Sequence, residues 1–159
     1  MFSDSRQFWR RLVVALFRAM PSSLSKWAVF WLKPKYVIGV MALVVDDDGR
    51  LLVLHHTYGT RYTWRFPGGI KERHEHPFRT AERELWEEAN IVARAIKVVG
   101  VVESFSTFDI AVYCELVEAR PFQANPEVDG MQWIDPQYPQ VSLPPEQVAM
   151  IQTLKEVVE

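Results

Sequence analysis

Glu84, Glu87 and Glu88 stand three, four and one positions apart in a segment whose apolar residues Phe78, Ala81, Leu85 and Ala89 recur at intervals of three, four and four. That period predicts an amphipathic helix opening at Pro77, whose missing N–H costs nothing in a first turn. At about 100° per residue the three carboxylates then share the face beside the apolar stripe, with Glu87 set to one side of the other two. Like charges one turn apart repel, and the last turn of a helix favours cations over anions. Such a violation of local propensity marks function, and a bound hard divalent cation is the simplest compensation because it takes carboxylate oxygens as ligands. Mg²⁺ fits best, since it keeps water and phosphate oxygens in its shell. The plain alternative is a solvated, Glu-rich helix face.

The surrounding residues weigh against the plain alternative. From Gly69, five residues lead to Glu75 and seven more to Arg83; Arg83-Glu84-Leu85-Trp86-Glu87-Glu88 then runs on to Ala89, Asn90 and Ile91. This stretch resembles the Nudix box, G-x5-E-x7-R-E-U-x-E-E-x-G-U with U aliphatic, at every specified position but the last glycine. Asn90 holds that place. It follows the helix end, where a left-handed backbone is expected, and Asn tolerates that conformation better than other non-glycine residues. The change therefore reads as conservative.

The resemblance implies an α/β (α+β) fold, a Nudix-type α/β/α sandwich with a mixed sheet. It also implies Mg²⁺-dependent hydrolysis, with Mn²⁺ as a substitute, of a diphosphate bond in a nucleoside diphosphate linked to another moiety. Carried over by position, it makes Glu84, Glu87 and Glu88 metal ligands, joined by the carbonyl of Gly68. Glu84 or Glu87 serves as base toward the attacking water. Arg83 orients the carboxylates, since a guanidinium fork suits that task. Glu75 fixes the loop against the helix, or binds a second metal. A further acid from a downstream loop completes such sites; Glu127 is the candidate, with Asp129 and Glu103 in reserve. Arg61, Arg65 and Lys71 are candidates to meet phosphates, with an ordinary surface charge the preferred reading of each, and Phe105 or Phe108 is a candidate to stack on a base, with core packing the preferred reading of at least one of them. His74 stands where the family commonly has a small residue. His55, His56, His74 and His76 lack zinc spacing.

At 159 residues and 48% hydrophobic, the chain is one domain's worth and can bury a core. Cys114 is the single cysteine, in an apolar run, so no internal disulfide forms and a reducing cytoplasm is the natural compartment. It reads as a small core hydrophobe rather than a catalytic thiol. The net charge of −2 hides an asymmetry: residues 1–35 carry seven Lys/Arg against Asp4, giving +6, and the remainder sums to −8. The chain therefore divides into a basic helical extension, 1–35, and a Nudix domain, 36–159.

In the extension, residues 6–20 and 23–32 read as two helices around Pro21, with Ser22 or Ser23 as N-cap. Their apolar runs fall short of the ~18–20 residues that a membrane span requires. A basic, aromatic helix pair can lie on an anionic membrane surface. Packing on the domain, or a homodimer contact, is the preferred reading. Beyond it, 36–45 and 51–56 read as strands around the turn 46–50, whose three aspartates suit a solvated hairpin better than a metal site. Strands follow at 93–104, 108–117 and 127–134, and a closing helix from Pro144-Pro145 carries the stripe Val148, Ile151, Leu154 and Val158.

Three functions compete at this stage. The pyrophosphohydrolase leads, acting on a small nucleotide derivative, with no long nucleic acid expected. A non-catalytic nucleotide-sensing module would not need to keep a repulsive carboxylate triplet. A membrane-associated hydrolase of a lipid or prenyl diphosphate is suggested only by the basic, aromatic N-terminus. The residues 105–109 carry neither the proline nor the tyrosine that marks particular substrate subgroups of the family.

Overall fold

Two helices open the chain, α1 (Ser3–Ala19) and α2 (Ser22–Leu32). The structure, a computed structural model, describes residues 3–19, 21–32, 35–59, 61–104 and 107–158. It divides into two compact units, Met1–Lys35 and Tyr36–Glu159. Within the first, Trp27 and Trp31 lie one turn apart with ring centroids at 5.6 Å, and the Lys35 ammonium sits 4.2 Å from the Phe30 ring centre. Among the described residues no helix is long and apolar enough to cross a membrane.

In the second unit the β-branched runs form β1 (Val37–Val45) and β2 (Leu51–His56). The turn between them is built by Asp46, whose carboxylate accepts the N–H groups of Asp48 and Arg50, while Gly49 takes a positive φ of 77°. Arg50 bridges Asp46 and Asp48, so these aspartates are spent on the turn. Short strands β3 (Trp64–Arg65) and β4 (Gly68–Ile70) follow, then helix α3 (Pro77–Ala89). The remaining elements are β5 (Ile91–Ser104), β6 (Thr107–Ala119), β7 (Val128–Ile134) and helix α4 (Pro145–Val158).

Among the described residues the seven strands form one mixed sheet in the order β3-β2-β1-β6-β5, with β4 added on β1 and β7 on β2. β1 and β6 run parallel from Val37↔Thr107 to Val45↔Glu115; the other pairings are antiparallel. β1 and β2 pair at Val45↔Leu51, beside their turn, and then part company. β1 takes β4 as neighbour (Met41↔Gly68), whereas β2 takes β3 and β7. The sheet is thus forked, and Gly68-Gly69 lies in the fork.

Strand alternation gives each face its own core. Val40, Ala42, Val44, Leu52 and Leu54 pack under Ala81, Leu85 and Ala89 of α3. Met41, Leu43, Leu51 and Val53 pack under Ile151 and Leu154 of α4. The result is the expected α/β/α layering. Cys114 is buried in the first core, and burial pushes its thiol up to about 12, so it is a packing residue.

Three local readings need correction. β5 begins at Ile91 and β6 reaches Ala119, because their antiparallel pairing runs the whole way from Ile91↔Ala119 to Ser104↔Thr107, with register shifts that absorb the breaks in alternation. On α4, Val148 is exposed and Gln147 is buried instead. The Gln147 side-chain carbonyl accepts the Phe66 N–H at 2.9 Å, and that bond turns a polar residue inward where the apolar period points to its neighbour.

Candidate active site

The helix that carries the glutamates is fixed at both ends. His76 caps its start, its Nδ1 accepting the Phe78 N–H, and Pro77 occupies the first turn. Its end is Asn90 at φ 55°, ψ 37°, left-handed, with its N–H returned to the Trp86 carbonyl. The Asn90 amide also donates to the Pro121 carbonyl, a bond that the glycine of the family pattern could not make. His74 has a positive φ of 67°, so the unusual residue before Glu75 is held in a conformation that His adopts more readily than most.

Glu75 ties this loop to the helix. Its carboxylate accepts from Arg83 at 3.1 Å, from the Thr80 hydroxyl at 2.8 Å and from the Glu72 N–H at 3.2 Å. The Arg83 hydrogen bond is the main reason that its carboxyl is drawn down to about 2. Arg83 reaches onward to Glu84 at 2.8 Å and Glu87 at 2.9 Å, and these partners raise its own proton affinity further. One guanidinium therefore organises three carboxylates.

Glu88 lies outside that group. It is 7% exposed, and its Oε2 accepts the Gly68 N–H at 2.9 Å. Burial pushes its carboxyl up to about 7; the Gly68 bond opposes this, while the charges of Glu84, Glu127 and Glu87 add to it. Burial likewise raises Glu84. The glycines make the approach possible. A Cβ on Gly69 would overlap the Glu84 carboxylate, and one on Gly68 would overlap the Val40 carbonyl.

The donor set is all oxygen, acidic and partly removed from water, with Arg83 ion-paired to part of it, which suits a hard divalent cation. Among the described residues no three acidic, His or Cys groups already converge on one centre. Glu84 and Glu87 are both ion-paired to Arg83.

The structure brings together Glu75, Arg83, Glu84, Glu87, Glu88 and Gly68, and places Glu127 close enough for its charge to act on Glu88. The reserves stand elsewhere: Asp129 is paired with His55, and Glu103 is exposed on β5 opposite Phe108. Lys71 donates to the Glu72 carbonyl. Arg61 is exposed and lies over the Tyr62 ring. Phe108 packs edge-on against Tyr36, with ring centroids 4.6 Å apart. Phe105 falls outside the described residues. Arg65 does face open space, in a cleft of about 360 Å³ at the fork of the sheet.

That cleft holds residues the sequence reading passed over. His56, Tyr58, Asp109 and Gln147 join Arg65 around it, over a floor that includes Gly69. They come from three separate parts of the chain, around 56–58, 109 and 147, and no spacing links these parts. His56 is 3% exposed, and neither ring nitrogen has a hydrogen-bond partner among the described residues. Burial, with Arg65 and His55 nearby, lowers it to about 4, so it is neutral near pH 7.

The NUDIX domain family matches residues 35–155, and the chain belongs to that family. It is 28% identical over 104 residues to a MutT-like protein of Streptomyces ambofaciens, covering 65% of this chain and 66% of that one. To Nudix hydrolase 5 of Arabidopsis thaliana it is 31% identical over 108 residues, covering 61% of this chain and 35% of that one. The matched stretch thus spans two thirds or less of these relatives' own length. Its fold is shared with the crystal structure of an ADP-ribose pyrophosphatase from Streptococcus suis, at a TM-score of 0.62 and 20% identity over 75% of this chain and 91% of that one. Nudix hydrolases in general use divalent cations.

Proposed function

We propose that this chain is a Mg²⁺-dependent pyrophosphohydrolase that cleaves the diphosphate bond of a nucleoside diphosphate linked to another moiety, with Mn²⁺ able to replace Mg²⁺. The observation that carries the reading is Glu88: a buried carboxylate bonded to Gly68 and crowded by Glu84 and Glu127, with Arg83 committed to other partners. Membership of the NUDIX domain family and the neighbouring pyrophosphatase fold support it.

Glu84, Glu87 and Glu88 would hold the cation, with the Gly68 carbonyl and Glu127 as further ligands. When bound, the cation supplies charge neutralisation on the phosphates and a more acidic water. Arg83 positions Glu84 and Glu87, and Glu75 positions Arg83. Glu84 or Glu87 accepts the proton as the water oxygen bonds to phosphorus and the bridging P–O bond breaks. Arg65 meets the substrate from the cleft. Positioning and electrostatics then supply most of the rate.

For residues 1–35 we favour a protein contact, such as a homodimer, over a membrane surface, and we place the protein in the cytoplasm. Co-sedimentation with anionic liposomes at low salt would overturn the first preference.

The test is phosphate-coupled turnover with Mg²⁺ against nucleoside triphosphates, nucleotide sugars, ADP-ribose, dinucleoside polyphosphates and prenyl diphosphates, each repeated with chelator. Chelator-sensitive release from one nucleotide class is the expected result. Silence throughout, with thermal stabilisation by one of the nucleotides, would favour a sensing module instead. Turnover confined to prenyl diphosphates would favour the lipid-linked reading.

A further inference from the structure

Asp109 stands in the cleft as an acceptor prepared for a ligand. Its carboxylate lies directly over Gly39, its partner in the parallel β1–β6 register, and a Cβ at Gly39 would collide with it. Among the described residues the Thr107 hydroxyl, at 3.5 Å, is its one hydrogen-bond donor, and it faces the same space as His56 and Gln147. Gln147 is oriented by its bond to the Phe66 N–H, which uses the amide oxygen and leaves the NH₂ as a donor. The unpartnered nitrogens of the buried His56 add a second, independent sign that the cleft awaits a polar ligand. Arg65, Tyr58 and Thr107 also line it, and the side chains of Val37, Val40, Met41, Phe66 and Ile70 make the rest of its wall apolar, which suits a flat heterocycle better than a sugar.

An ionised carboxylate only accepts, and both its oxygens are used at once when the ligand offers two adjacent donors. Among the common bases, guanine alone presents a ring N–H beside an NH₂ on its pairing edge. Adenine and cytosine pair their amino group with a ring acceptor, and uracil flanks its one N–H with carbonyls. We propose that Asp109 reads the base of the substrate and makes the cleft selective for guanine nucleotides. This deepens the hydrolase reading and rests on it for the word substrate, though the binding claim can be measured alone.

The experiment is calorimetric binding of guanosine, inosine, adenosine and 2′-deoxyguanosine 5′-monophosphates to the full chain, which offer no diphosphate to cleave. The same titrations use Asp109→Asn, nearly isosteric, with its fold checked by thermal melting. The expected result is guanosine at least tenfold tighter than inosine, which lacks only the amino group, and than adenosine. The 2′-deoxy compound should follow guanosine, and Asp109→Asn should erase the preference. Equal binding of guanosine and inosine, no binding of either, a preference that survives Asp109→Asn, or a loss on removing the 2′-hydroxyl would each overturn the proposal. A guanine preference without turnover of any diphosphate would defeat the hydrolase reading alone; turnover without base preference in binding would defeat this one alone.

Discussion

The Glu88 carboxylate accepts the backbone N–H of Gly68 at 2.9 Å, joining the end of α3 to the glycine turn twenty residues earlier. Through this bond the helix is registered against the fork of the sheet. It also fixes an acid whose ionisation is disfavoured chiefly by burial and further by the neighbouring charges of Glu84, Glu127 and Glu87.

A cation that relieves this crowding stabilises the folded state by mass action. Millimolar Mg²⁺ should raise the melting temperature by a few degrees, measured by differential scanning fluorimetry. Gly69→Ala places a methyl group where the Glu84 carboxylate sits and should abolish that rise. An equal rise in the variant would remove Glu84 from the cation site.

Leu85 is fully buried between α3 and the sheet. Leu85→Ala should cost roughly 2–5 kcal/mol through lost burial and the cavity left behind. Denaturant unfolding measures it, and a change under about 0.5 kcal/mol would mean that this face of the helix is not the packed one.

His56 gives the protein an acid-side weakness. Its folded value of about 4 lies below the ordinary 6.5, so the unfolded chain takes up the proton first. The neutral, buried form is no burden above pH 6.5. Stability then falls as pH drops from 6.5 toward 4, by up to about 3 kcal/mol. Unfolding free energies at pH 7 and pH 4.5 should show a shallower decline for His56→Gln than for the native chain; parallel declines would contradict the assignment.

The sequence revealed the parts of this architecture that repeat or sit close together. The stripe Ala81, Leu85, Ala89 has a helical period and is buried as that period requires, and the Asp46 turn is a local matter of side chain to backbone. Asn90 was readable because the end of a helix demands one backbone conformation. The cleft was not readable in the same way. Asp109, His56 and Gln147 are neighbours only because β1 leaves β2 for β4, and a fork between strands leaves no spacing in the chain. Gln147 was hidden further by an apolar neighbour, Val148, that fits the helical stripe better. Phe108, for which core packing was the alternative to stacking on a base, lies edge-on against Tyr36.

The most direct measurement is the Mg²⁺-dependent turnover of Glu87→Gln on whichever nucleotide the native chain hydrolyses. Glu87 is exposed, lies off the apolar stripe and contacts Arg83, so the change should leave melting within a few degrees. The acidic helix as a cation site predicts a fall in kcat of at least about a hundredfold. Native-like kcat in a folded Glu87→Gln variant would contradict it.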